Sequence, residues 1–161
     1  MRHKKIIPPE PVCFKTTLEV QIGDINYGGH VGNERYLLFA QETRLRFLQS
    51  IGQSEVNFGS FGLVLTESHV EYFHELFRGD SVEIAMSITP PSRASFDCYY
   101  VVSVNRNNQQ VIAAVIKTCM VCFDYNERKV KSIPALLSEE LKRLATGSSS
   151  QEFQISQDAS A

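Results

Sequence analysis

One stretch constrains this chain more than any other. Between Asn33 and Ile51 the apolar residues do not keep to a single narrow stripe. Tyr36, Ala40, Thr43 and Phe47 fall on one line of a helix, and Leu37, Arg44, Leu48 and Ile51 run beside it. Leu38, Phe39 and Leu45 widen the apolar face beyond half the girth. A helix docked on one side does not need so much apolar surface, whereas a helix wrapped on several sides does. Asn33 is the expected N-cap and Gly52 the expected C′ residue.

The rest of the chain supplies the wrapping. Residues 13–22 alternate as a strand before the helix. After a loop at 52–60, strand signals dominate: Phe61 to Phe73, then Asp80 to Ile88 with Val82, Ile84, Met86 and Ile88 on one face. Pro90-Pro91 breaks the chain. Ser95 to Val104 and Gln110 to Phe123 form a predicted hairpin around Asn105–Asn108. Pro134 opens a short helix over Leu136 to Leu144. A strand, a long buried helix and then only strands is an α+β order with an antiparallel sheet. The expected fold is a sheet of about five strands curled around the helix, with a short C-terminal helix. A length of 161 residues fits one domain with a real core. The expected divisions are a flexible, proline-rich segment over 1–12, the domain over 13–145, and a Ser-, Gln- and Asp-rich disordered tail over 146–161.

Charge and cysteine usage narrow the functions. The net charge is −2, with acids and bases intermixed, so no nucleic-acid partner is expected. No apolar run approaches the ~20 residues of a membrane span. The basic start Met1–Lys5 is followed by Ile6-Ile7-Pro8-Pro9 rather than an apolar signal core. The expectation is a cytoplasmic protein without membrane insertion. Cys119-Met-Val-Cys122 has the spacing of a zinc knuckle or a redox pair, but it lies on a predicted strand, where residues three apart face opposite ways. No second pair completes four ligands. Cys13, Cys98, Cys119 and Cys122 therefore read as plain thiols. His69 and His74 also have odd spacing. No metal and no cofactor are expected.

The chemistry concentrates in the loop Gly23-Asp-Ile-Asn-Tyr-Gly-Gly-His-Val-Gly32. It is not a phosphate-binding P-loop, because it lacks Gly-Lys-Ser/Thr and a parallel βαβ context. Asp24 leaves a strand and precedes a helix across a glycine-dense turn. A carboxylate there can activate water as a general base or attack a carbonyl directly; the bland alternative is a turn aspartate. The first amides of the helix lack intrahelical partners and carry the positive end of its dipole. His30 reads either as a general acid or ligand-orienting group, or as a ring packed on the helix start. Asn33 serves as cap or substrate contact, the cap being favoured. Glu42 is expected to pair with Arg46 at i+4. Tyr27, Phe58 and Phe61 are candidates to line a pocket for an acyl group.

The run Asp24-Ile-Asn26-Tyr-Gly-Gly29-His30-Val31-Gly-Asn33, with Tyr36-Leu37 and Glu42-Thr-Arg44 after it, resembles the 4-hydroxybenzoyl-CoA thioesterase family of hotdog proteins. Val70-Glu-Tyr72-Phe-His-Glu-Leu-Phe-Arg-Gly79-Asp80 resembles the family strand that ends in Gly-Asp. The likeness spans about Phe14 to Leu144. It implies a hotdog acyl-CoA thioesterase, a homodimer or dimer of dimers joined edge to edge, and active sites between subunits. It places catalysis at Asp24 and the oxyanion donor at the Val31 backbone N–H, with Gly32 beside it. His30 is the further catalytic candidate, and Asn33, Gly32 and Tyr27 are the substrate-binding ones. The chain departs from the pattern where Asn26 replaces a common second Asp and Gly32 a common Asn. An alternative is a hotdog enoyl-CoA hydratase, whose Gly-Asp-x-Asn-Pro-x-His is partly matched by Gly23-Asp24-Ile-Asn26 and His30. There the histidine comes one residue late, Tyr27 replaces the proline, and no acid follows. A second alternative is a non-catalytic module that binds acyl-CoA.

Overall fold

The computed structural model describes residues 4–148. Its elements are β1 (Phe14–Glu19), α1 (Arg35–Ser50), β2 (Gly62–Tyr72), β3 (Ser81–Ile88), β4 (Ser95–Arg106), β5 (Gln109–Asp124), β6 (Lys129–Val130) and α2 (Ala135–Thr146), with a 3-10 turn at Ile22–Asp24. The strands form one antiparallel sheet in the order β1-β3-β4-β5-β2, and the short β6 pairs with β5. This is the expected α+β hotdog arrangement, five principal strands around one long helix.

The register explains which face is core. Val82, Ile84, Met86 and Ile88 of β3 pair with Val104, Val102, Tyr100 and Cys98 of β4. All eight are buried. Tyr36, Phe39, Ala40, Phe47 and Leu48 of α1 pack into the same cluster. The helix begins at Arg35 with Glu34 as N-cap, and no side chain caps it. The Asn33 cap reading is therefore corrected: Asn33 lies one residue before the N-cap, and its carbonyl accepts the Tyr72 hydroxyl at 2.9 Å. Gly52 follows the helix at φ +71°, as a C′ glycine does. Asn107 and Asn108 both have positive φ, as the tight β4–β5 hairpin requires.

Arg44, read from sequence as part of the apolar flank, is a buried cation. Its Nε donates to Glu55 Oε1 at 2.6 Å and its Nη1 to the Tyr100 hydroxyl at 3.1 Å. Tyr100 continues the network to Thr118 Oγ1 at 3.3 Å. Burial works against the charge, but Tyr100 and Glu55 more than offset it and hold the guanidinium pKa above its usual value. Cys98 and Cys122 are buried and Cys13 and Cys119 half-buried, and all four are free thiols. Burial pushes the Cys98 thiol up to about 12 and the Cys13 thiol up to about 11. Residues 4–12 lie against the sheet: the Ile6 N–H donates to Glu71 Oε1 at 3.2 Å, and beyond them the Cys13 N–H donates to the Met86 carbonyl at 2.8 Å. Most of the expected tail, from residue 149 onward, falls outside the described residues. Among the described residues no helix is long and apolar enough to cross a membrane.

Candidate active site

The loop between β1 and α1 is built by its own backbone. Asn26 N–H donates to the His30 carbonyl at 2.9 Å, Gly29 N–H to the Asn26 carbonyl at 3.1 Å, and Gly28 N–H to Asn26 Oδ1 at 2.9 Å. An isolated bridge joins Ile25 to Val31. Gly29 sits at φ +83°, a conformation that glycine adopts without steric cost.

This closure decides which amides are free. Val31 N–H donates to the Leu76 carbonyl at 2.9 Å, and Gly32 N–H to the Asp24 carbonyl at 2.9 Å. The Val31 amide, the expected oxyanion donor, and the Gly32 amide beside it are thus both hydrogen-bonded within the chain. Among the described residues, the N–H groups of Asn33 and Glu34 are the first after the loop to donate no hydrogen bond. They stand at the entry to α1, where unpaired donors and the helix dipole both favour a negative charge.

The candidate side chains divide between two hollows. Asp24 lines a groove of about 510 Å³ with Leu18 and Glu19 of β1 and Leu38, Phe39, Glu42, Leu45 and Arg46 of α1. Asp24 Oδ2 accepts the Gln21 N–H at 2.8 Å. Glu42 pairs with Arg46 as expected, Nε to Oε1 at 2.7 Å, and Arg46 Nη1 also donates to Thr16 Oγ1 at 2.8 Å. His30, Asn33, Val31 and Asn26 line a second hollow of about 300 Å³ with Tyr36, Tyr72, Phe73, His74 and Glu75. The Tyr36 and Tyr72 rings meet edge to face, centroids 5.1 Å apart. Burial, aided by Tyr72, Glu75 and Asp80, pushes the Tyr36 phenol up to about 12, so it keeps its proton.

Other candidates fall elsewhere. Tyr27 projects fully into solvent in the single chain. Phe58 is buried and stacked on Phe96, centroids 6.0 Å apart, so it is core rather than pocket lining. Cys119 and Cys122 lie on β5 with opposite orientation. Sequence reasoning did not single out Glu75, which follows β2 and faces His30. An exposed acid in a connector looks solvated, and the Val31–Leu76 hydrogen bond is what sets the connector beside the loop.

The thioesterase-like superfamily model matches residues 20–142, and the chain belongs to that family. Its fold and family are those of the hotdog thioester hydrolases. A 1,4-dihydroxy-2-naphthoyl-CoA thioesterase from Synechocystis is 25% identical, with a TM-score of 0.70 over 83% of this chain and 95% of that one. Two further structures share the fold. A Thermus thermophilus thioesterase complexed with coenzyme A and Zn is 21% identical, TM-score 0.71, over 84% of this chain and 96% of its own. A Staphylococcus aureus protein in complex with CoA is 16% identical, TM-score 0.74, over 89% of each chain. Comparison with curated proteins gives no match.

Proposed function

We propose that this thioester hydrolase cleaves an acyl-CoA to a free acid and coenzyme A, with Asp24 supplying the activated oxygen chemistry as general base or nucleophile. The observation that supports the reading is the tether at the loop: the Asp24 backbone carbonyl accepts the Gly32 N–H, which holds this residue close to the start of α1, while its carboxylate lines the apolar groove. A carboxylate and an unpaired donor at a helix start are what a thioester carbonyl needs. One takes the proton of water or attacks the carbon, and the other holds the oxyanion. The Asn33 and Glu34 amides, which have no partner among the described residues, join Val31 as candidates for the oxyanion donor. The apolar walls Leu18, Leu38, Phe39 and Leu45 suit an acyl chain beside Asp24. The coenzyme A part of the substrate is proposed from the naphthoyl-CoA thioesterase neighbour and the two neighbours solved with coenzyme A.

The experiment is a panel of aryl-, short- and long-chain acyl-CoA thioesters with free thiol as the readout, run beside crotonyl-CoA hydration. Thiol release with saturation is expected. Hydration of the enoyl-CoA without thiol release would mean the hydratase reading, and saturable binding without either reaction would mean a binding module.

A further inference from the structure

The face of the sheet turned away from α1 carries a groove remote from Asp24. On β4 and β5, Tyr100 and Ile116 point into the core, so Val101 and Val115, which pair across the two strands, point to the other face. Val115 is only 7% exposed, yet it lies outside the core cluster. The N-terminal segment crosses this face: the Ile6 N–H donates to Glu71 Oε1 at 3.2 Å, and Glu71 stands opposite Val115 in the β2–β5 register. Ile6, Ile7 and Pro8 form one wall of a groove of about 770 Å³, and Phe73, Val101, Ile112 and Val115 line the rest. Ile7 is 73% exposed, and Phe73 and Ile112 are each 46% exposed. Three large apolar side chains opening on one hollow are a surface that favours an apolar occupant over water. Among the described residues, the polar side chains lining it are Lys5, His74 and Gln110. Gln110 Nε2 donates to Ser103 Oγ at 2.8 Å. His74 Nδ1 lies 2.9 Å from the Ile112 carbonyl, which only accepts, so Nδ1 is the donor. Lys5 is exposed, and no Asp or Glu lines the groove.

We propose that this groove is a binding site for a free fatty acid, with the hydrocarbon chain in the apolar trough and the carboxylate on the Lys5 ammonium. A concave, mostly apolar hollow with a few polar groups is the form that small-molecule sites take, and its volume is in their range. The chain supplies affinity in proportion to the apolar area it buries, and Lys5 selects the charged end. Charge argues against a second copy as the occupant. A two-fold contact would set the same patch against itself, and each Lys5 would meet a groove without a carboxylate. Phe73 and His74 also line the His30 hollow, so the two hollows adjoin, whereas Asp24 lines the separate groove between β1 and α1. Binding here is independent of the reaction proposed above.

Calorimetric titration of the full chain with hexanoate, octanoate and decanoate tests the proposal. One site per chain is expected, with Kd falling about fourfold for each added methylene. Lys5→Gln should weaken octanoate about threefold, as loss of an exposed ion pair does, and leave octanol unchanged. Ile112→Asp puts an unpaired charge against the chain and should weaken octanoate at least about tenfold. Ile7→Asp, on the opposite wall, should act in the same direction. Both positions are exposed, so neither change reaches the core. Leu38→Asp, in the Asp24 groove, should bind octanoate as the parent chain does. Absence of saturable binding would overturn the proposal. Binding that is lost in Leu38→Asp and kept in Ile112→Asp and Ile7→Asp would overturn it too, by placing the acid beside Asp24. Affinity that does not rise with chain length would refute the trough and leave only attraction to surface charge. A chain that binds no acid, and whose mass by light scattering falls in Ile112→Asp, would put a second copy on this face instead.

Discussion

Val31 donates its backbone N–H to the Leu76 carbonyl at 2.9 Å, and this single bond ties the loop before α1 to the connector after β2. Both partners are buried, Leu76 completely. The bond occupies the Val31 amide and sets the connector beside the loop, with Glu75 Oε1 3.6 Å from His30 Nε2.

Leu76→Ala tests that coupling. Truncating a fully buried leucine should cost about 2–5 kcal/mol, which chemical denaturation will read. The connector then loses its anchor, so acyl-CoA turnover should fall further than for a core truncation remote from the loop, such as Leu141→Ala. Equal turnover in the two variants would show that the connector does not position the site.

Asp24→Asn should abolish turnover while the fold survives. Asparagine is nearly isosteric, and its carbonyl oxygen can still accept the Gln21 N–H that Asp24 accepts at 2.8 Å. It cannot take a proton from water or attack the thioester as a carboxylate does. Loss of general-base catalysis should lower kcat by at least about 10²-fold. A folded variant that keeps more than about a tenth of the parent rate would remove Asp24 from the centre of the mechanism.

How far the sequence carries depends on the kind of residue. The strands were legible because Val82 to Ile88 keep a period of two, and α1 because its apolar positions keep a helical period. Gly52 and the Asn107-Asn108 hairpin were legible because positive φ selects few residue types. The site was only half legible. Asp24 and His30 stand out in a glycine-dense loop, but their separation into two hollows follows from side-chain directions that spacing does not reveal. The Val31 amide is consumed by a carbonyl far away in the chain, and no local pattern announces such a partner. Arg44 was placed on the right face of α1, yet its burial depends on Glu55 and Tyr100, which come from two other parts of the chain.

Asp80 gives the stability a pH dependence that can be assigned to one residue. Arg106 holds it with two hydrogen bonds, Nη1 to Oδ1 at 2.6 Å and Nη2 to Oδ2 at 2.5 Å, and the Phe77 N–H donates to Oδ2 at 2.7 Å. The Arg106 hydrogen bonds, and then the Phe77 amide, hold the carboxyl below the usual carboxylate range against the effect of burial. A folded-state pKa below the unfolded value of about 3.9 adds stability that is fully present above that value. It is lost as pH falls through the lowered folded value. Asp80→Asn should therefore cost about 1–3 kcal/mol at neutral pH. The gap from the parent chain should stay flat down to about pH 5 and close below about pH 4, read from denaturation midpoints. A gap independent of pH across that range would mean that packing, not charge, is what Asp80 supplies.

Assembly is dictated by the sheet edges. The sheet ends in β1 on one side and β2 on the other. β2 runs eleven residues, and among the described residues no strand pairs with its outer side. An edge of that length exposes a row of backbone donors and acceptors, and folded proteins cover, charge or pair such rows. On this edge Leu65 and Tyr72 are exposed apolar side chains, and the exposed Glu67 is paired with His69 of the same strand. Pairing with the β2 of a second copy would satisfy the edge and continue the antiparallel sheet across both chains. It would also bring the partner close to Tyr72 and Phe73, which line the His30 hollow. We therefore expect a homodimer with the site at its seam, whether or not two dimers associate further. Light scattering should return at least twice the 18.2 kDa chain mass at micromolar concentration. Leu65→Lys places a charge on the edge and should weaken the dimer. Dilution should then lower mass and acyl-CoA turnover together, because the separated chain lacks half of the seam. A parent chain that stays monomeric at micromolar concentration, or a monomeric Leu65→Lys variant with full activity, would rule out the shared site.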